Sequence, residues 1–140
     1  MLDYKFKYYE LSPEEKEKVV NEIKNVLSRY DKILLAIIFG SFIELSSFRD
    51  IDIAICTLDD DYDLNYLTKL CSEIEDKINI PVDIVPLNEL DPKFKLKILT
   101  KGLIIVEKFS GIYESLLSQT FDEIKRLEIT EEIERKLNSR

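Results

Sequence analysis

Five residues in three short segments could act together chemically: Gly40-Ser41, Asp50 and Asp52 of Asp50-Ile51-Asp52, and Asp83. Side chains at i and i+2 of a strand point to the same side, which would set Asp50 and Asp52 roughly 6–7 Å apart on one face. Two carboxylates so placed repel each other and are costly to desolvate unless a cation lies between them. Magnesium takes oxygen ligands, commonly one or two carboxylates together with substrate phosphates. If the strand carrying Asp83 lies beside the first, Asp83 joins the pair. Three carboxylates suffice for two metal ions, one on a triphosphate and one on an attacking oxygen. Gly40 lets backbone N–H groups approach a phosphate closely, and Ser41 adds a hydroxyl donor. A helix opening at Ser41 would also favour an anion there. Taken singly, each segment has an ordinary explanation. Gly-Ser is a common turn, Asp-x-Asp can be solvated turn acid, and Asp83 can be an edge-strand charge facing water. Their order on consecutive strands points to a nucleotide site.

The surrounding pattern supplies the elements that would hold these residues. Ser12-Pro13 with Glu15 forms a capping box, and the apolar spacing that follows predicts a helix over about 13–30. The apolar run Lys32 to Phe39 predicts a strand buried on both faces. Asp50 to Cys56 alternates with period two, putting Asp50, Asp52, Ala54 and Cys56 on one face and Ile51, Ile53 and Ile55 on the other. Leu64 to Ile78 reads as an amphipathic helix stopped by Asn79, and Pro81 to Leu87 as a third strand. Asp91-Pro92 opens another helix, with Gly102 as its left-handed terminus, followed by a short strand over Leu103 to Val106. The segment from about 112 to 138 is helical, with Thr130 able to cap a separate last piece. The expected fold class is α/β (α+β): a small mixed sheet of about four strands flanked by helices, as one domain over 1–140 with its core at about 15–108.

Composition removes several alternatives. The chain has 140 residues, is 45% hydrophobic and 34% charged, and carries a net charge of -8. That acidity disfavours a nucleic-acid partner, whose backbone is held by clustered Lys and Arg. There is no histidine, which excludes Ser-His-Asp and Cys-His chemistry and His-ligated zinc. Cys56 and Cys71 have no CxxC spacing and read as reduced, buried thiols. Met1 to Glu10 has no apolar signal-like core, and no apolar run is long enough for a bilayer. A cytoplasmic location is expected. The acids Asp59, Asp60, Asp61 and Asp63 read as a solvated loop before a helix, and the charges over 122–136 as an exposed helix face. Tyr4, Tyr8 and Tyr9 are either surface packing or partner contacts.

Gly40-Ser41, then Asp50-Ile51-Asp52, then Asp83 resembles the nucleotidyltransferase superfamily that includes DNA polymerase beta, and most of all its minimal nucleotidyltransferases, over roughly residues 15 to 108. The resemblance implies that Asp50 and Asp52 bind Mg²⁺, with two sites available. It implies that Asp83 completes the catalytic set and that Gly40 and Ser41 hold the triphosphate of ATP. Many such proteins are similar to antitoxins encoded beside a HEPN-domain toxin, and some transfer AMP from ATP to a tyrosine of that partner. The segment departs from the family pattern Gly-Ser-x-Ala-Arg-Gly: the Arg position holds Glu44 and the Gly position holds Leu45. An acid there weakens triphosphate binding. Three readings follow: an AMP-transferring antitoxin, a catalytically weak antitoxin that acts by masking its partner, and a nucleotidyltransferase for small molecules. A homo-oligomer is compatible with each.

Overall fold

A computed structural model of the chain describes residues 7–139. The elements run β1 (Tyr9–Glu10), α1 (Pro13–Ser28), β2 (Ile33–Phe39), α2 (Ser41–Glu44), β3 (Ser47–Phe48), β4 (Ile51–Thr57), α3 (Leu64–Ile78), β5 (Val82–Pro86), α4 (Pro92–Lys101), β6 (Leu103–Glu107) and α5 (Ile112–Asn138). Short 3-10 turns at Leu58–Asp60 and Leu87–Glu89 follow β4 and β5. Four strands form a mixed sheet in the order β5-β4-β2-β6. β2 is antiparallel to both β4 and β6, and β4 is parallel to β5.

The two sheet faces are covered by different helices, and the period-two alternation of β4 decides which side chains go where. Ile51, Ile53 and Ile55 join Ile23, Val26 and Leu27 of α1 and Leu70 and Ile74 of α3 in one core cluster. Ala54 and Cys56 join Leu35 and Ile37 of β2, Ile98 and Leu99 of α4 and Leu116 of α5 in the other. Cys56 is a buried free thiol; Cys71 is free and half-buried. The expected face assignment of β4 therefore holds, and its aspartate side is the α4 side.

Local signals account for most boundaries. Ser12 and Glu15 bond reciprocally, Ser12 Oγ accepting from Glu15 N at 3.1 Å and Glu15 Oε1 from Ser12 N at 2.9 Å. Asp63 caps α3, accepting from Tyr66 N at 2.8 Å, and Asn79 ends it in the left-handed region at φ 58°. Asp91 caps α4.

Two expectations are corrected, and one pairing is new. Gly102 is not left-handed: its φ is -76° and ψ 168°. Glycine is required there for space, since a Cβ would lie 2.4 Å from Ile37 Cγ2 and 2.7 Å from Ile98 O. Thr130 caps nothing; α5 runs unbroken through it, and its hydroxyl donates to Arg126 O at 2.9 Å within the helix. The two-stranded pairing of β1 with β3, Tyr9 opposite Phe48, was not expected, because two-residue strands are too short to leave a periodic signal. Tyr9 stacks on Phe48 at 5.8 Å, so of the two alternatives read for it packing is realised. Tyr4 lies outside the described residues. No described helix is long and apolar enough to cross a membrane.

Candidate active site

β4 enters the sheet with Asp52 as its second residue, directly opposite Phe39 of β2 on one side and Asp83 of β5 on the other. Because β4 and β5 are parallel and in register here, Asp52 and Asp83 stand on one rung, with strands about 4.8 Å apart, and their side chains leave the same face. Asp50 immediately precedes the strand and is half-buried, as is Asp52; Asp83 is exposed on the edge strand. Gly40 follows Phe39 and closes the row. Its φ is 80°, and a Cβ on it would lie 2.6 Å from Asp52 Oδ2. The three aspartates and Gly40, expected from separate segments, are thus brought to one end of the sheet.

Their electrostatics reflect that crowding. The Asp52 carboxyl is pushed up to about 6, first by burial and then by the negative charges of Asp50 and Asp83. A carboxylate raised by like charges gains most from a hard divalent cation, which takes oxygen ligands from both protein and phosphate. The donor set fits such an ion. Among the described residues no group of three or more Cys, Asp or Glu side chains stands close enough, as placed, to hold a metal ion. Asp50, Asp52 and Asp83 share one end of the sheet without converging into a ready-made cage, so an ion held there would need further ligands from a substrate or from movement of these side chains.

Ser41 does open a helix, but α2 is a single turn of four residues. Peptide dipoles sum only over a longer helix, so the expected dipole contribution is small. What remains is local: the first N–H groups of the turn lack intrahelical acceptors, and Ser41 itself is half-buried. The loop that follows is braced from α1. Lys16 Nζ donates to Phe42 O at 2.8 Å and Leu45 O at 3.2 Å, and lies 5.0 Å from the Phe42 ring centre and 5.7 Å from that of Phe48. This clamp joins residues 26 and 29 positions apart, so nothing local in the sequence announces it.

A cleft of about 220 Å³ opens beside Asp52, between α2 and α4. Gly40, Glu44 and Asp52 line it together with Phe39, Phe94 and two lysines of α4, Lys97 and Lys101. Phe39 and Phe94 meet edge to face at 5.8 Å in its wall. The two lysines were missed. Lysines at i and i+4 on a helix usually mark a solvated face, and only the fold sets them against Gly40.

The polymerase beta nucleotidyltransferase family model matches residues 21–110, the stretch that holds all five candidate residues. A tri-AMPylated Shewanella oneidensis HEPN toxin in complex with its MNT antitoxin contains a similar chain: TM-score 0.68, 20% identity, covering 86% of this chain and 96% of that one. A toxin–antitoxin complex with AMP-PNP gives TM-score 0.69 at 22% identity, covering 84% and 95%. The MntA–HepT toxin–antitoxin complex gives 0.62 at 18%, covering 89% and 97%. No curated protein matches the chain. With the motif, its geometry and a family match over most of its length, the chain belongs to the polymerase beta nucleotidyltransferase family.

Proposed function

We propose that the protein is an antitoxin of the minimal nucleotidyltransferase type, which transfers AMP from ATP to a hydroxyl, a tyrosine in this reading, of a HEPN-domain partner. The observation that carries the proposal is the rung shared by Asp52 and Asp83, with Asp50 and Gly40 beside it. Two structural relatives support the partner and the nucleotide: one lies in a complex with a tri-AMPylated HEPN toxin, the other in a toxin–antitoxin complex with AMP-PNP.

In this reading Asp50 and Asp52, with Asp83, hold Mg²⁺, which when bound neutralises phosphate charge and eases ionisation of the attacking hydroxyl. Gly40 keeps the backbone close enough for its neighbours' N–H groups to meet the triphosphate, and Ser41 donates its hydroxyl. Asp83, on the exposed edge strand, is the carboxylate an incoming side chain reaches first. It orients the acceptor hydroxyl and accepts its proton. The oxygen attacks the α-phosphorus in line, and pyrophosphate leaves.

The test is label transfer from [α-³²P]ATP with Mg²⁺ to the protein encoded by the neighbouring gene. Transfer is expected, and Asp50→Asn is expected to lower it by about 100-fold or more. An unlabelled partner, or label unaffected by Asp50→Asn, overturns the proposal.

A masking antitoxin is the second reading. Glu44 in the nucleotide cleft favours it, as does the far half of α5, where Ile129, Ile133 and Leu137 are 60%, 53% and 59% exposed. Full neutralisation of the partner by an Asp50→Ala, Asp52→Ala double variant would select it.

A further inference from the structure

Glu44 occupies the position where the resembled family carries a phosphate-facing arginine, and its place in the fold says where the missing charge must come from. It lines the α2–α4 cleft together with Gly40 and Asp52, so this cleft is the side of the site on which that arginine would act. The opposite wall of the cleft carries Lys97 and Lys101. They lie one helical turn apart on α4, hence on one face. Both are exposed, and among the described residues neither has a hydrogen-bond or ion-pair partner. Lys95, on the same helix, is turned to the other side and engages Glu123 at 3.1 Å.

We propose that Lys97 and Lys101 form the cationic wall that holds the β- and γ-phosphates of the nucleoside triphosphate, supplying from α4 the charge that position 44 lacks. The proposal rests on the nucleotide reading above. A polyanion cannot enter a cleft bounded by Glu44 and Asp52, in a chain of net charge -8, without cations facing it. A divalent ion at the aspartates would neutralise only part of the charge of a triphosphate, and ammonium groups on the facing wall would add to it. Two ammonium groups on flexible stems suit that role: each brings three donors, and their aliphatic parts can lie along Phe39 and Phe94 while the heads reach the phosphates. Their spacing on a rigid helix fixes two contacts at once. An arginine at position 44 would have supplied one side chain only.

The test measures binding of AMP-PNP and of AMP, each with Mg²⁺, by calorimetry. Lys97→Ala with Lys101→Ala is expected to weaken AMP-PNP by about tenfold or more, since each lost charge-assisted hydrogen bond is worth at least that order. AMP, which has no far phosphates, is expected to change less than about twofold. Because both lysines are exposed, the double variant should keep its melting temperature. Adding Glu44→Arg to it is expected to restore AMP-PNP affinity. Equal losses for both nucleotides, unchanged AMP-PNP binding, or no rescue by Glu44→Arg overturns the assignment. Unchanged AMP-PNP binding in the double variant leaves the nucleotide site standing and removes only the lysines from it. Absence of AMP-PNP binding to the unaltered protein removes the nucleotide reading itself, and the lysine assignment with it.

Discussion

Gly40 and Asp52 touch across the end of β2 and β4 with no room for a methyl group between them: a Cβ on Gly40 would sit 2.6 Å from Asp52 Oδ2. The glycine also has φ 80°, where an L side chain is strained. Gly40→Ala therefore meets two penalties. The backbone conformation costs about 1–3 kcal/mol, and the Asp52 carboxyl must move. Urea denaturation should report a loss in that range. Nucleotidyl transfer should fall more than stability does, because the Asp52 carboxyl is pushed from its place beside Asp50 and Asp83. Intact transfer in a destabilised Gly40→Ala protein would mean that the position of Asp52 is not critical.

Asp52 is held in its charged form against the interests of folding. Its carboxyl is raised from 3.8 to about 6 by burial and by Asp50 and Asp83. An acid whose folded-state pKa is raised takes up its proton more readily when folded. Stability should therefore rise as pH falls through 6 toward 4, and the penalty is fully present above 6. Asp52→Asn removes the charge and should stabilise the metal-free protein at pH 7.5 by about 1 kcal/mol, the shift being discounted for the exposed part of the carboxyl. The same change should abolish transfer. Thermal unfolding of the two proteins from pH 4.5 to 7.5 checks the sign: their difference should narrow toward acid.

Magnesium and protons should compete for that carboxylate. At pH 7.5 a saturating concentration of Mg²⁺ should raise the melting temperature by about 4 °C or more, through preferential binding to the folded state. At pH 5, where Asp52 holds its proton, the gain should shrink, and in Asp52→Asn it should vanish at both pH values. A gain independent of pH would place the ion elsewhere on the acidic surface.

The carboxylates were legible in the sequence because strand periodicity is local. Asp50, Ile51, Asp52, Ile53 states which residues share a face, and the apolar run ending at Phe39-Gly40 states where the neighbouring strand stops. The register that sets Asp52 beside Asp83 was not legible, since 30 residues separate them and the parallel pairing depends on how α3 packs. Lys16 and the Lys97–Lys101 pair were illegible for a related reason. A lysine on a helix carries the same local signal whether it faces water or a phosphate cleft. The left-handed expectation at Gly102 failed because glycine serves two needs, positive φ and tight space, and only the neighbouring Ile37 distinguishes them.

Lys95 supplies the tie between α4, which walls the cleft, and α5. Its side chain is 5% exposed, and its ammonium group reaches Glu123 Oε1 at 3.1 Å, where the Glu123 side chain is 42% exposed. Burying an ammonium group is costly unless its partner stays in place, so the two partners are not equivalent to mutation. Glu123→Gln leaves the buried cation without its counter-charge and should cost about 1–3 kcal/mol. Lys95→Met keeps the packed stem, removes the charge, and should be close to neutral, as apolar replacements of buried ions often are. Combined, the two changes should cost less than Glu123→Gln alone. Urea midpoints of the three variants measure this. If Glu123→Gln were neutral and Lys95→Met were the damaging change, the ion pair would contribute nothing to joining α4 to α5, and the Lys95 ammonium group would act there without Glu123.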